Sequence, residues 1–246
     1  FMEKLTHNKG TYKSFSNTAL KLLFFVLVIA VCIYLGLWQI DRANQKIKIY
    51  NDYINSLKKE PIIVKTFKNK YQEFTRLKVY GQFIIDKQFL LDNSIANRRA
   101  GYKVLTPYKV EKKTILVDRG WVENHFDQKV PDIKIKTPNT YINAYIFHQK
   151  NLPQLDETIY DDDWPKIIQN IKIKEISILL KSELEPYILV MNENQDNSYI
   201  DNRRFKKNSE LKHYMYAGQW FLFSIVAFIF MIILLRRDTN KDEKTK

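Results

Sequence analysis

Cysteine is all but missing from this 246-residue chain, with Cys32 its single thiol. One thiol excludes internal disulfides, and it excludes a two-cysteine copper or redox site within one chain. Glycine is scarce as well, six residues in all, and no phosphate-cradling loop or dinucleotide fingerprint is built from them. No His/Cys pair has metal-ligand spacing, and no nucleophile–base or paired-carboxylate arrangement stands out, so an enzyme is not expected. High lysine, isoleucine and asparagine with little glycine reads as coding bias rather than function. Long basic blocks are also lacking. The net charge is +13, yet the cations are scattered among Ile, Asn and Tyr. That pattern argues for a solvated face or attraction to anionic lipid, and against nucleic acid.

What the chain does have is two long apolar runs. Leu22–Ile40 is nineteen residues without a formal charge, and Tyr214–Leu235 is twenty-two. At about 1.5 Å per residue each helix would span the roughly 30 Å hydrocarbon core. The first run is longer than a signal-peptide core and Val31-Cys32-Ile33-Tyr34 offers no small-x-small site, so cleavage is not expected; nor is lipidation of Cys32. The expected class is therefore a membrane protein with two transmembrane helices flanking one extramembrane domain. The expected divisions are a polar, poorly ordered cytoplasmic tail over 1–18, a span over 19–41, an outer-face domain over 42–212, a second span over 213–235 and a cytoplasmic tail over 236–246. Lys4, Lys9, Lys13 and Lys21 before the first span, and Arg236, Arg237, Lys241, Lys244 and Lys246 after the second, put both termini in the cytoplasm by the positive-inside rule. Residues 41–213 carry 31 Lys+Arg against 23 Asp+Glu, net +8, but long loops translocate largely regardless of charge.

Between the spans the periodicity is mostly that of strands. The helical pattern of the first span continues through Arg42, Lys46 and Tyr50 as a short stalk. Ile62–Val64 is a short strand candidate, and Phe74–Phe83 has Leu77, Val79 and Phe83 at period two with Gly81 as a bulge or close-approach point. Phe89–Leu91 ends at an Asp92-Asn93 turn signal. Gly101–Val110 and Thr114–Val122 flank Glu111-Lys112-Lys113 as a hairpin, and Ile133–Phe147 reads as a strand pair broken at Pro138-Asn139. An acidic loop is expected over 151–170, with Asp161-Asp162-Asp163 as a solvated stretch rather than a cation site. A short helix follows over Ile171–Leu180, then strands over Tyr187–Met191 and Ser198–Ile200 around a turn at Asn194–Asn197. Together these predict an α+β, mostly β, barrel-like domain.

Three constellations stand out. Gly36-Leu37-Trp38-Gln39-Ile40-Asp41-Arg42 lies at the outer end of the first span. It reads either as an interfacial Trp anchor with a snorkelling Arg or as polar contacts, Gln39 and Arg42, for a group bound at the membrane surface. Leu116 to Val122 contains Asp118-Arg119-Gly120-Trp121, either a strand with a glycine bulge and a core Trp, or a site where the Arg119 fork binds a carboxylate. At the outer end of the second span His213, Tyr216, Ala217 and Trp220 fall on one helical stripe, and Ala217 and Gly218 are small enough to admit a neighbouring helix. A histidine there is ordinarily an interfacial polar residue; an axial haem ligand would need this residue type in this semi-apolar setting.

In this order the three constellations resemble the surfeit-locus protein 1 family of cytochrome oxidase assembly factors. Gly36-x-Trp38-Gln39-x-x-Arg42 looks like the family's opening signature. Arg119-Gly120-Trp121-Val122 is similar to its central strand motif, and His213-x-x-Tyr216-Ala217-x-x-Trp220-Phe221 to its second-span motif. Arg99-x-Gly101 followed by Thr106-Pro107 also fits. Two positions depart from the pattern: Gln45 stands where the family usually has Trp, and Ala144 where it has Gly. The resemblance implies a non-enzymatic role in maturing the haem–copper oxidase, with haem a as cofactor, delivered to the catalytic subunit, and His213 as ligand to the haem iron. Trp38, Gln39, Arg42, Arg119, Tyr216 and Trp220 complete the candidate cofactor-binding set, Arg42 and Arg119 being expected as propionate partners from their charge and predicted position and not from the resemblance; no catalytic residue is expected. Implied partners are cytochrome c oxidase subunit I, haem a synthase and membrane lipid. The implied location is the bacterial inner membrane, or the mitochondrial inner membrane in a eukaryote. The alternative is a haem-free scaffold that grips subunit I. The helices are expected to pack as a pair at the level of these motifs.

Overall fold

The computed structural model describes residues 2–68, 70–124, 131–149, 163–203, 205 and 209–243, with side chains described between Ala19 and Arg237. The chain divides into two units, a helix pair (1–51 with 205–246) and a β-rich domain, Asp52–Arg204.

The helix pair consists of α1 (Met2–Leu57) up to Asn51 and α3 (Leu211–Glu243). The polar segment expected as a disordered tail is instead continuous with α1, which starts at Met2. Over Ala19–Leu57 and Leu211–Arg237 the two helices are long and apolar enough to cross a membrane. Their outward side chains include Leu23 at 63 % exposure, Phe24 at 61 % and Phe230 at 56 %. Such a surface is what a helix presents to lipid, not to water. Among the described residues of the helix pair, the buried positions are Cys32, Gly36 and Ala43 on α1 and Ala217, Ser224 and Ala227 on α3. They recur every three, four or seven residues, so each helix turns one stripe of small residues inward.

The domain is built on a closed five-stranded barrel. Its elements are β1 (Ile62–Val64), β2 (Arg76–Phe83), β3 (Phe89–Ala96), β4 (Arg99–Val110), β5 (Lys113–Glu123), β6 (Asn139–Phe147), β7 (Lys166–Ile168), α2 (Ile173–Leu180) and β8 (Leu184–Met191). The barrel runs β2–β6–β8–β5–β4 and closes where Gln82 and Phe83 pair with Lys109 and Tyr108. β1 extends it beside β2, and β3 and β7 extend it beside β4. Closure leaves the barrel strands without free edges.

Residue alternation explains the two packed layers. Leu77, Val79 and Phe83 of β2, Ile115 and Val117 of β5, and Ile142, Ala144 and Ile146 of β6 point into the barrel. Leu116, between Ile115 and Val117, joins Leu105, Ile188 and Ile176 of α2 in a second cluster outside it. β5 is thus buried on both faces, which is why it reads as a continuous apolar run rather than an alternating one. Gly81 sits at an inward position where a Cβ would come within 2.7 Å of the Tyr108 ring. That space lets Tyr108 reach across and donate its hydroxyl to the Thr140 carbonyl at 2.5 Å.

Several sequence expectations need correction. Asp92-Asn93 is not a turn: β3 continues through it with a register shift between Leu91 and Ser94, Asn93 taking φ 56°. The reversal comes at Asn97 and Arg98, two successive left-handed residues as a two-residue hairpin requires. Residues 131–136 form no strand, and only Asn139–Phe147 of that proposed pair is one. Ser198–Ile200 is not a strand either but carries a single bridge, Trp121 to Ile200. β7 arises within the stretch expected to be loop; most of that stretch, including Asp161 and Asp162, lies outside the described residues.

Candidate functional site

In the domain the central motif works as a clamp on the segment Asn197–Arg203. Arg119 is fully buried. Its Nε donates to the Asn197 carbonyl at 2.8 Å, and its terminal nitrogens donate to Gln88 Oε1, the Ile133 and Lys134 carbonyls and the Tyr199 hydroxyl, at 2.8 to 3.4 Å. A guanidinium has five N–H donors, and these five acceptors engage them all. Gln88 Oε1 in turn accepts from Thr106 Oγ1 at 3.1 Å, which connects the Thr106-Pro107 signature to the same network. Arg119 was expected to face a propionate; here its fork is committed to the fold, and an added carboxylate would have to displace one of these acceptors.

The residues after it complete the clamp. Gly120 has φ +113°, and a Cβ there would lie 2.6 Å from the Tyr199 carbonyl carbon. Across that gap Tyr199 N–H donates to the Arg119 carbonyl at 2.6 Å and Trp121 N–H to the Ile200 carbonyl at 2.7 Å. The Trp121 indole donates to the Ser94 carbonyl at 3.1 Å and covers Gly101, whose missing Cβ would sit 2.6 Å from its ring. That contact is the physical reason for glycine two residues after Arg99.

Asp118, also fully buried, holds the end of the clamped segment. Its Oδ2 pairs with Arg203 at 2.5 Å and with Lys103 at 3.5 Å, and its Oδ1 accepts from Gly120 N–H at 2.9 Å. Burial opposes its ionisation, but Arg203, Lys103 and the Gly120 amide outweigh that and hold the carboxyl below the ordinary carboxylate range. Asp201 beside it is pushed the other way, upward, chiefly by burial, and accepts from the Tyr145 hydroxyl at 3.0 Å and Arg203 N–H at 2.9 Å. The sequence reading passed over Asp118 and Arg203. The available signal was a carboxylate inside a run buried on both faces, which demands a cation.

In the helix pair the motifs of α1 and α3 do meet. Gln39 Oε1 lies 2.8 Å from His213 Nδ1, and one turn further along α1 Asn44 Oδ1 accepts from the Tyr214 hydroxyl at 3.4 Å. A carbonyl oxygen only accepts, so Nδ1 is the donor in this contact, and in the neutral ring Nε2 then holds the lone pair. On the inner side of this contact Gly36 faces Phe221, whose ring would be 2.5 Å from an added Cβ. Gly218, expected to help the helices approach, meets nothing within 4 Å. It is turned about 100° from Ala217, which occupies the buried stripe. Trp38 and Tyr216 flank the contact with 43 % and 53 % of their surfaces exposed. The Arg42 guanidinium lies 5.6 Å from the Trp38 ring centroid and donates to Gln45 Oε1 at 2.9 Å, so Gln45 at the departing position serves as an intrahelical partner. Trp220 is half-buried and meets Phe223 edge-on at 5.9 Å.

The packing gives a direct expectation. With Cys32→Ser as background, cysteines replacing Gln39 and His213 are expected to be joined by a short bismaleimide. Adding Gly36→Leu is expected to reduce that cross-link roughly fivefold, corresponding to ~1 kcal/mol of interhelical packing. An undiminished yield would show that Phe221 does not need the space.

Two helices long and apolar enough to cross a membrane, flanking a closed five-stranded barrel in the chain, are the architecture of a membrane-anchored protein. The profile of the SURF1 family matches residues 26–225. The chain belongs to that family, a family of cytochrome oxidase assembly factors. No curated protein matches the chain.

Proposed function

We propose that this protein assists oxidase assembly by binding haem a at the helix pair and handing it to the catalytic subunit, cytochrome c oxidase subunit I. The observation that supports this reading most is the Gln39–His213 contact. Metal-ligating histidines almost always donate their second ring N–H to a fixed acceptor, which sets the tautomer and the ring orientation. Gln39 does this for His213 and leaves Nε2 as the coordinating atom, so the donor set fits a haem iron. Trp38, Tyr216 and Trp220 offer flat apolar faces for the macrocycle, and Arg42 offers a cation for a propionate. Arg119 is left out of the set because its donors are engaged. When bound, haem a would supply the redox-active iron destined for the oxidase; the chain's own part is to orient it, shield it from water and release it. Haem a synthase is the natural donor partner in this scheme. In it the barrel lies on the outer face of the bacterial inner membrane, or its mitochondrial counterpart, with both termini on the other side.

The test is the visible spectrum of protein purified from cells that make haem a. A haem a spectrum is expected for the native chain and at least a ~10-fold loss of it in His213→Ala, since removal of an axial ligand exceeds the 10–100-fold effect of losing its orienting partner. Co-purification of subunit I without haem, unaffected by His213→Ala, would favour the haem-free scaffold instead. Reporter fusions at each terminus test the orientation, and an externally active fusion at Lys246 would reverse it.

A further inference from the structure

The side of α1 turned away from α3 carries a second seam. Tyr34 is two residues from both Cys32 and Gly36, so it is turned about 160° from each of these buried positions. Along this side Leu23, Leu27, Ala30, Tyr34, Leu37 and Asp41 follow one another at alternate spacings of four and three residues, and all six are exposed. That is the repeat by which one helix packs along another. Tyr34 stands 68 % exposed, and among the described residues nothing bonds its hydroxyl. It lies seven residues before Asp41, about 10 Å inside the end of the apolar run. Side chains on a helix lean toward its N-terminus, which directs this hydroxyl deeper still. Hydrocarbon offers it no partner. Lipid is a sufficient neighbour for the leucines of the seam, but a hydroxyl at this depth calls for a polar group on a neighbouring helix.

We propose that this seam of α1 is a docking face for a transmembrane helix of another protein, one that presents a hydrogen-bond acceptor to Tyr34 and a cation to Asp41 one heptad further along. Asp41 accepts from Gln45 Nε2 at 2.7 Å, and its exposed carboxylate has lone pairs left for a second donor. The same charge selects the occupant. Copies of this chain share one orientation in the membrane, so a self-pair along the seam would set Asp41 against Asp41, a repulsion that a helix with a basic residue there turns into attraction. The surface is independent of the haem reading, since none of its six residues belongs to the haem-binding set.

The test uses the full chain in phosphatidylcholine vesicles, titrated with a synthetic transmembrane helix of alternating leucine and alanine. The peptide carries asparagine at mid-depth and arginine one heptad toward one end, where a dansyl group is attached. Binding is read as energy transfer from the chain's tryptophans. Saturable transfer is expected, about fivefold weaker when leucine replaces the peptide's asparagine and about fivefold weaker for Tyr34→Phe, which keeps the ring. Made together, the two changes are expected to weaken binding no more than either alone, because both remove the same bond; a general loss of packing would add instead. Asp41→Lys is expected to weaken binding of the arginine peptide about fivefold and to favour a peptide with glutamate in its place. Absence of saturable transfer, equal transfer to the asparagine and leucine peptides, or a Tyr34→Phe effect that persists in full with the leucine peptide would overturn the proposal. So would chemical cross-linking of the chain into dimers that Tyr34→Phe abolishes, which would make the occupant a second copy.

Discussion

Gly120→Ala is expected to be among the most damaging single-methyl changes in the domain. Two penalties add. The backbone is held at φ +113°, which for a residue with a Cβ costs ~1–3 kcal/mol. The new methyl also lands 2.6 Å from the Tyr199 carbonyl carbon and 2.9 Å from the Ile200 oxygen, an overpacking worth a further ~1–3 kcal/mol. These atoms are backbone, so no side chain can swing away to relieve them. The segment has to lift, breaking the Tyr199–Arg119 and Trp121–Ile200 hydrogen bonds. The expected sum, ~2–6 kcal/mol, is a large part of a typical domain's stability. It is read as a lowered unfolding temperature together with fast amide exchange at Trp121 and Tyr199. Exchange as slow as in the native protein would show that the clamp does not depend on the missing side chain.

The second large effect concerns Asp118. Asp118→Asn leaves Arg203 and Lys103, whose side chains are each only 12 % exposed, without their counter-ion. Removing one partner of a buried ion pair destabilises by ~3–5 kcal/mol because the remaining charge stays uncompensated. Arg203→Met combined with Asp118→Asn is expected to be less damaging than the two single effects summed, since in the double variant only the more distant Lys103 lacks a partner. Asp201→Asn is the contrasting case. Its carboxyl is pushed upward by burial, and an amide can still accept from Arg203 N–H and donate to Tyr145, so a change under ~1 kcal/mol is expected. The pH dependence follows from the signs. Asp118, held below its ordinary value of 3.8, stabilises the fold at all pH above that value, and this stabilisation disappears as pH falls through the depressed folded-state value. Asp201, held above 3.8, acts oppositely: its contribution is lost as pH rises from 3.8 through the folded-state value. Comparing acid unfolding of Asp118→Asn with the native chain isolates the first; superimposable acid limbs would contradict it.

Features that depend on local pattern were legible in the sequence. The two apolar runs announce the helices, and Leu77, Val79 and Phe83 announce a strand by their period. The bland reading of Arg119-Gly120-Trp121, a strand with a glycine irregularity and a core Trp, is also what the fold contains. What escaped depends on distant partners. Asn93 is a left-handed residue inside a strand, and its composition is that of a turn. β7 is three residues long, and only its pairing with Phe89–Leu91 makes it a strand. Ile133 looked like part of a strand because it is apolar, yet it is buried with Leu90, Tyr102 and Val104 while its carbonyl accepts from Arg119. The clamp joins residues 118–121 to 197–203 across almost eighty positions, which no local spacing reveals. The motifs placed Gln39 and His213 at matching ends of their spans, but that Gln39 is the residue meeting His213 had to come from the structure.

That contact carries the functional account, and a haem a titration compares its parts directly. Haem a is added to the purified native chain, Gln39→Leu and His213→Ala, with binding read from the visible spectrum. The account predicts tight binding by the native chain, a ~10–100-fold weaker titration for Gln39→Leu, whose histidine loses its orienting acceptor, and the weakest for His213→Ala. Three superimposable titrations would contradict it.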